Sequence, residues 1–221
     1  MVTETDANGF SETRTYDLNG KLKTVTDREG RVREMTYDSL QRLEAEKWKN
    51  GSTVIHSFKY SYNFAGQVTQ IIERDADVGS GNILTQYDYT YDGLGRVETV
   101  TGPFVSGSGP IIVLTYTYYD NGQVKDVTSK INSVDQIVTR YEYDDVGRQS
   151  RVTQEQAAGG TLNVDAKRVD MVYNAAGQLD LVTMYNDLAG TQVVATSDYQ
   201  YNDPVGRLSG IVHTAGSLTP T

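Results

Sequence analysis

The stretch Tyr91-Asp92-Gly93-Leu94-Gly95-Arg96-Val97 decides how the chain reads. An acid, two variable positions and a glycine, set between an aromatic and an aliphatic residue, form the chemistry of a tight reversal. The Asp side chain accepts the backbone N–H two residues on. The Gly enters the left-handed region that closes a type I turn with a bulge. The pattern recurs from end to end. Tyr16-Asp17 leads to Gly20-Lys21-Leu22, Tyr37-Asp38 to Gln41-Arg42-Leu43, and Tyr62-Asn63 to Gly66-Gln67-Val68. Tyr118-Tyr119 leads to Gly122-Gln123-Val124, Tyr143-Asp144 to Gly147-Arg148-Gln149, and Tyr173-Asn174 to Gly177-Gln178-Leu179. Tyr201-Asn202 leads to Gly206-Arg207-Leu208, one residue longer. Two copies lack the Tyr: Thr5-Asp6 to Gly9, and Thr26-Asp27 to Gly30-Arg31-Val32. The Tyr-to-Tyr steps are 21, 25, 29, 27, 25, 30 and 28 residues. A period in that range marks an array of supersecondary units.

Asn63 and Asn174 stand where other copies have Asp, and either type caps a turn. A general acid would not survive that exchange, so the Asp reads as structural. The long polar residue after the Gly (Arg, Lys or Gln) reads as a solvated side chain lying over its neighbour. Before each turn apolar and aromatic residues alternate, as in Phe58/Tyr60/Tyr62, Tyr87/Tyr89/Tyr91 and Val169/Met171/Tyr173. Period two places each set on one face of a strand. After the Gly, apolar residues step by three, as in Leu22/Val25, Val68/Ile71 and Val97/Val100. That break in alternation predicts a bulge carried over from the turn.

A second set of turn signals alternates with the motif: Gly30, Asn50-Gly51, Gly79-Ser80-Gly81-Asn82, Ser106-Gly107-Ser108-Gly109-Pro110, Asn132-Ser133, Gly159-Gly160 and Leu188-Ala189-Gly190. The sixteen signals predict about seventeen strands. The fold class is all-β: an antiparallel meander of repeated hairpins forming one curved, twisted sheet, as a strip or open spiral. Residues 1–221 read as a single array, with short repeats over 1–43 and longer ones over 44–221. Terminal strands would be edges open to self-association.

Composition narrows the function. Of 21 aromatic residues 16 are Tyr, which suits half-exposed sheets, because the ring packs while the hydroxyl reaches water. A net charge of −9 argues against nucleic acid. There is no Cys, hence no disulfide framework. No stretch approaches the ~20 apolar residues of a membrane span. The start, Met1-Val2-Thr3-Glu4-Thr5, is polar and enters a repeat at once, unlike a signal peptide.

The Tyr-Asp-x-x-Gly-Arg-Val/Leu copies resemble the YD repeats of the Rhs family, whose members include Rhs and wall-associated polymorphic toxins, the C component of insecticidal Tc toxins, and the teneurins. The resemblance implies a spiralling β-sheet shell that encloses a C-terminal toxin domain in bacterial members and serves adhesion in animal ones. It implies partners in the remainder of a parent shell and an enclosed C-terminal domain, and an extracellular or cell-surface place. Bacterial members run far longer and end their repeats with an Asp-Pro-x-Gly run. Here Asp203-Pro204-Val205-Gly206-Arg207 reads as another repeat turn instead.

No catalytic set emerges. His56 and His213 are the only histidines and have no Cys beside them, so neither a zinc site nor any cofactor is expected. There is no Gly-x-Ser-x-Gly elbow. Asp75-Ala76-Asp77 opens like a calcium loop, but Gln86 stands where its twelfth-position Glu belongs, and a solvated acidic loop is the plainer reading. The tyrosine rows are read as a ladder in which each Tyr stacks on its equivalent in the next repeat. The alternative is a glycan- or protein-binding adhesion surface. Trp48 reads as an exposed residue on a strand leading to Asn50-Gly51. The expected function is a non-catalytic segment of a shell that encloses or presents a cargo.

Overall fold

The computed structural model describes residues 2–6, 9, 11–102, 109–202 and 205–216. It is all-β, with seventeen strands and no helix among the described residues. The turn at 106–108 and the Asp203-Pro204 pair lie outside those residues.

The chain divides into two compact units. The first, Met1–Ile112, holds β1 (Val2–Thr5), β2 (Ser11–Tyr16), β3 (Leu22–Thr26), β4 (Val32–Tyr37), β5 (Leu43–Asn50), β6 (Thr53–Tyr62), β7 (Val68–Arg74), β8 (Ile83–Tyr91) and β9 (Val97–Thr101). Each pairs antiparallel with the next. The second, Val113–Thr221, holds β10 (Ile112–Tyr118, all but its first residue), β11 (Val124–Ile131), β12 (Val134–Tyr143), β13 (Gln149–Gln156), β14 (Lys167–Tyr173), β15 (Leu179–Tyr185), β16 (Val193–Gln200) and β17 (Gly210–Ala215). From β11 to β17 each strand again pairs antiparallel with its successor.

The step of three after each glycine is a bulge. Tyr16 lies opposite Leu22 while Thr15 lies opposite Thr24, so Lys23 is the extra residue. The same shift occurs at Tyr37/Leu43, Tyr62/Val68, Tyr91/Val97, Tyr143/Gln149 and Tyr173/Leu179.

Register gives each unit two chemically different faces. In the first unit one face carries Tyr60–Ile71–Tyr87 and Arg14–Val25–Arg33–Trp48–His56 across successive strands. The other carries Thr15–Thr24–Glu34–Lys47–Ser57–Arg74. In the second unit Tyr141–Val152–Val169–Met184–Ala195–Ala215 backs onto Arg151–Asp170–Thr183–Thr196–Thr214.

Almost nothing is fully buried. Among the described residues Met35, Ala45 and Ala157 are the buried apolar ones, and the most enclosed side chain is Ser57, 1% exposed, whose hydroxyl donates to Ala76 O at 2.5 Å. Stability therefore comes from the backbone ladder and from cross-strand pairs, each contributing about 0.2–1 kcal/mol. Examples are Thr15 with Thr24 at 2.6 Å, Thr90 with Thr99 at 2.7 Å, and Arg151 with Asp170 at 2.8 Å.

Candidate functional site: the motif turns

The turn at 92–96 shows the motif in full. Asp92 O accepts the Gly95 N–H and Asp92 N–H donates to Arg96 O, both at 2.9 Å, with Gly95 at φ 79°. Asp92 Oδ1 accepts two backbone N–H groups, from Leu94 and Arg96, each at 2.9 Å. Its Oδ2 takes Arg96 Nε and Nη2, each at 2.7 Å. One carboxylate thus satisfies two orphan amides and neutralises the guanidinium. Asp38 with Arg42 and Asp144 with Arg148 repeat this arrangement. Asp27 with Arg31 does too. Arg31 is solvated, as the sequence suggested, whereas Arg42, Arg96 and Arg148 are half-buried; each pairs with its own turn's Asp.

The electrostatics follow. The backbone N–H of the residue four on, and then the guanidinium, hold the Asp38 and Asp92 carboxyls below the usual range, against an opposing push from partial desolvation. At Asp144 desolvation is the largest single influence and pushes up, yet the Arg148 N–H and guanidinium together bring the carboxyl down.

At the Asn63 and Asn174 turns the fifth residue is Gln. Asn63 Oδ1 accepts Gln67 N–H at 2.9 Å and Asn63 Nδ2 donates to Gln67 Oε1 at 2.9 Å. Asn174 and Gln178 do the same at 3.0 and 3.1 Å. The freed glutamine Nε2 then reaches the next turn: Gln67 to Gly95 O at 2.7 Å, Gln178 to Gly206 O at 2.5 Å. Gln123 reaches Gly147 O at 2.7 Å.

The tyrosines form a second link between repeats. Five hydroxyls donate to the carbonyl that follows the preceding turn: Tyr37 to Leu22 at 2.8 Å, Tyr62 to Leu43 at 2.7 Å, Tyr91 to Val68 at 2.6 Å, Tyr173 to Gln149 at 2.8 Å, and Tyr201 to Leu179 at 2.8 Å. Arg42 lies 4.5 Å over the Tyr62 ring and Arg148 4.3 Å over Tyr173, so these arginines do cover a neighbour, as a cation on an aromatic face. None of these five rings stacks on another tyrosine. The ladder is built from hydroxyls and cations rather than from the expected ring stacking.

Residues 16–47 match the family described as RHS Repeat, and those residues hold the Tyr16 and Tyr37 turns and the Tyr37–Leu22 link. No curated protein matches the chain significantly. Among solved structures, the chain is similar to one in a TcdB2-TccC3-Cdc42 crystal structure, with 16% identity, TM-score 0.44, and 94% of this chain but 14% of that one covered. A Photorhabdus luminescens Tc holotoxin pore gives 17% identity, TM-score 0.44, and coverage of 92% and 13%. A porin-like protein from Bacteroides uniformis gives 11% identity, TM-score 0.38, and coverage of 96% and 92%. The chain spans about one seventh of the toxin chains it is similar to.

Other candidates are locally closed. His56 Nε2 bonds Glu73 at 2.7 Å, whose second oxygen accepts Thr85 Oγ1 at 2.5 Å. Ser197 Oγ lies 2.8 Å from His213 Nδ1, directly across β16 and β17. The sequence held no local signal for either pair, since both join residues that only register brings together. Among the described residues no three His, Cys, Asp or Glu gather as metal ligands. Asp75 accepts from Asn82 at 2.8 and 2.9 Å and Asp77 pairs with Lys47 at 2.7 Å, so the exposed acidic 75–82 loop is tied by these bonds. Trp48 is exposed beside a groove of about 500 Å³, whose charges pair internally as Arg33–Glu46, Arg31–Asp27 and Lys49–Glu34. No helix among the described residues is long and apolar enough to cross a membrane.

Proposed function

We propose that this chain is a non-catalytic structural segment of a larger Rhs-repeat shell, one continuous array over residues 1–221, in a secreted or surface protein of a bacterium. Its partners are the remainder of that shell and a C-terminal cargo or toxin domain that the shell encloses or presents. The observation that carries this reading is the turn-to-turn linkage. Tyr62, Tyr91 and Tyr173 each bond backward, and Gln67 and Gln178 each bond forward. A unit whose turns also bond those of its neighbours, and that buries almost no core of its own among the described residues, is suited to be part of a wall. The motif residues are the structural elements of that wall, from Tyr16, Asp17 and Gly20 through Gly206 and Arg207.

Limited proteolysis of the full parent chain tests it. The domain downstream of the repeats should resist protease while the repeats are intact, and become cleavable in a Gly95→Val variant. Equal digestion of that domain with and without the repeats would refute enclosure. Adhesion through tyrosine rows is less favoured, since five motif hydroxyls already bond backbone carbonyls. Glycan binding by the wild type that Tyr89→Ala and Tyr116→Ala abolish would reverse that preference.

A further inference from the structure

The motif at 118–124 departs from the rest, and a cavity opens where it does. Tyr119 stands in the place of the capping Asp or Asn. Without that acceptor, Asn121 Oδ1 takes the Gln123 N–H at 3.0 Å. The Tyr119 hydroxyl donates to Tyr141 O at 3.1 Å, toward the following repeat rather than the preceding one. Its ring meets the Tyr143 ring edge-to-face, with 6.1 Å between centroids and 85° between planes. Beside this corner lies a cavity of about 620 Å³, lined by Tyr119, Tyr143, Asp120, Asn121, Glu142 and Asp144 among others.

Every ionisable group of that lining other than the two tyrosines is a carboxylate. Asp144 faces Arg148 at 2.7 Å, and Glu142 Oε2 faces Arg151 at 3.1 Å. The Asp120 carboxylate is exposed and has no partner among the described residues. Lys125 Nζ already sits 5.9 Å from the Tyr119 centroid, so the chain itself places an ammonium near this ring.

We infer that this corner binds an organic ammonium group. The negative faces of aromatic rings attract cations, and a carboxylate beside them adds Coulomb attraction and an acceptor for N–H. The cavity falls within the size range of small-ligand sites. At the Asp27, Asp38 and Asp92 turns the carboxylate is neutralised by its own arginine, which leaves no charge to offer. A neutral sugar would find few donors here. Gln123 Nε2 is held by Gly147 O at 2.7 Å, and Gln123 Oε1 by Asn121 Nδ2 at 2.6 Å. A lysine side chain and a quaternary amine share the required chemistry, and the site does not depend on the shell reading.

The test is amide NMR of the whole 221-residue chain at low salt, titrated with tetramethylammonium, methylammonium and, separately, glucose. Saturable shifts at residues 119–124 and 141–148 are expected with at least one of the two cations. The tighter of the two tells a quaternary source from a protonated primary amine. Asp120→Asn makes no internal contact and should leave the remaining spectrum unchanged while weakening binding about 2–5-fold, the size of one exposed cation contact. Tyr119→Asp restores the common motif and should abolish the shifts. The inference is overturned by an absence of saturation below roughly 100 mM, a range that any real site would reach. An equal response to glucose, or unaltered cation binding in both variants, overturns it as well.

Discussion

The two ends of the hairpins are built on different plans. At the motif end most turns share one geometry and several reach a neighbouring turn, as Tyr62 does to Leu43 O and Gln67 to Gly95 O. At the other end the reversals differ from one another, some closed within the loop and some held from a strand of the neighbouring hairpin. Gly51 at φ 59° opens a two-residue turn, and Asn132 with Ser133 makes another with both φ positive. Asp187 alone accepts the N–H groups of Gly190, Thr191 and Gln192 at 3.0–3.2 Å. The buried Gln136 pins the 157–162 segment, its Oε1 accepting Thr161 N–H and Leu162 N–H at 2.9 and 3.0 Å. The difference teaches where repeat-to-repeat coupling resides. A uniform turn repeats one link along the array, whereas each singular loop finds its own partners.

That contrast can be broken most forcefully at Gln136. Gln136→Ala strands several donors in a loop with no alternative partners, and should cost about 1–3 kcal/mol in chemical denaturation. Hydrogen exchange should rise only over 157–166. Exchange spreading along the motif turns would erase the distinction between the ends.

Next comes Gly95→Val, at about 1–2 kcal/mol, because a β-branched residue must enter the left-handed region. Its Cβ would also press Gln67 Nε2 at 3.3 Å, so the loss should reach the neighbouring turn. Gly93 in the same turn has an ordinary φ and open space, and Gly93→Val should be close to neutral. Equal melting shifts for the two would disprove the turn account.

Tyr62→Phe removes one inter-repeat hydrogen bond and should cost about 1 kcal/mol by thermal melting. A silent variant would place the coupling in the backbone ladder alone. Gln41 occupies the glycine place with φ 65°, and Gln41→Gly should stabilise by up to about 1 kcal/mol, less what is lost with the exposed Asn19–Gln41 contact at 3.2 Å.

Acid gives the finest discrimination. The Asp38, Asp92 and Asp144 carboxyls lie below their unfolded values, so their contribution is complete above about pH 4. It is lost as pH falls through the lowered folded values. Melting temperature should drop below pH 4, and drop less when these turns are converted to the Asn/Gln form, as in Asp92→Asn with Arg96→Gln.

Much of this was legible residue by residue. The Asp92-to-Gly95 spacing specified a left-handed glycine, and the Leu22-to-Val25 step specified a bulge; both are local, set by a few dihedrals. The pairing of Asp with Arg and of Asn with Gln was also written at 38/42, 92/96, 63/67 and 174/178. It went unread because cap and cation were weighed separately, which left the arginine looking solvated.

By itself the sequence determined the strand count, the antiparallel order and the turn type, since alternation and turn chemistry act over fewer than ten residues. Only the tertiary structure decided which carbonyl each tyrosine reaches, which glutamines bridge two turns, and that His56 meets Glu73. Those partners lie 15 to 28 residues apart, and a single bulge shifts which side chains face one another.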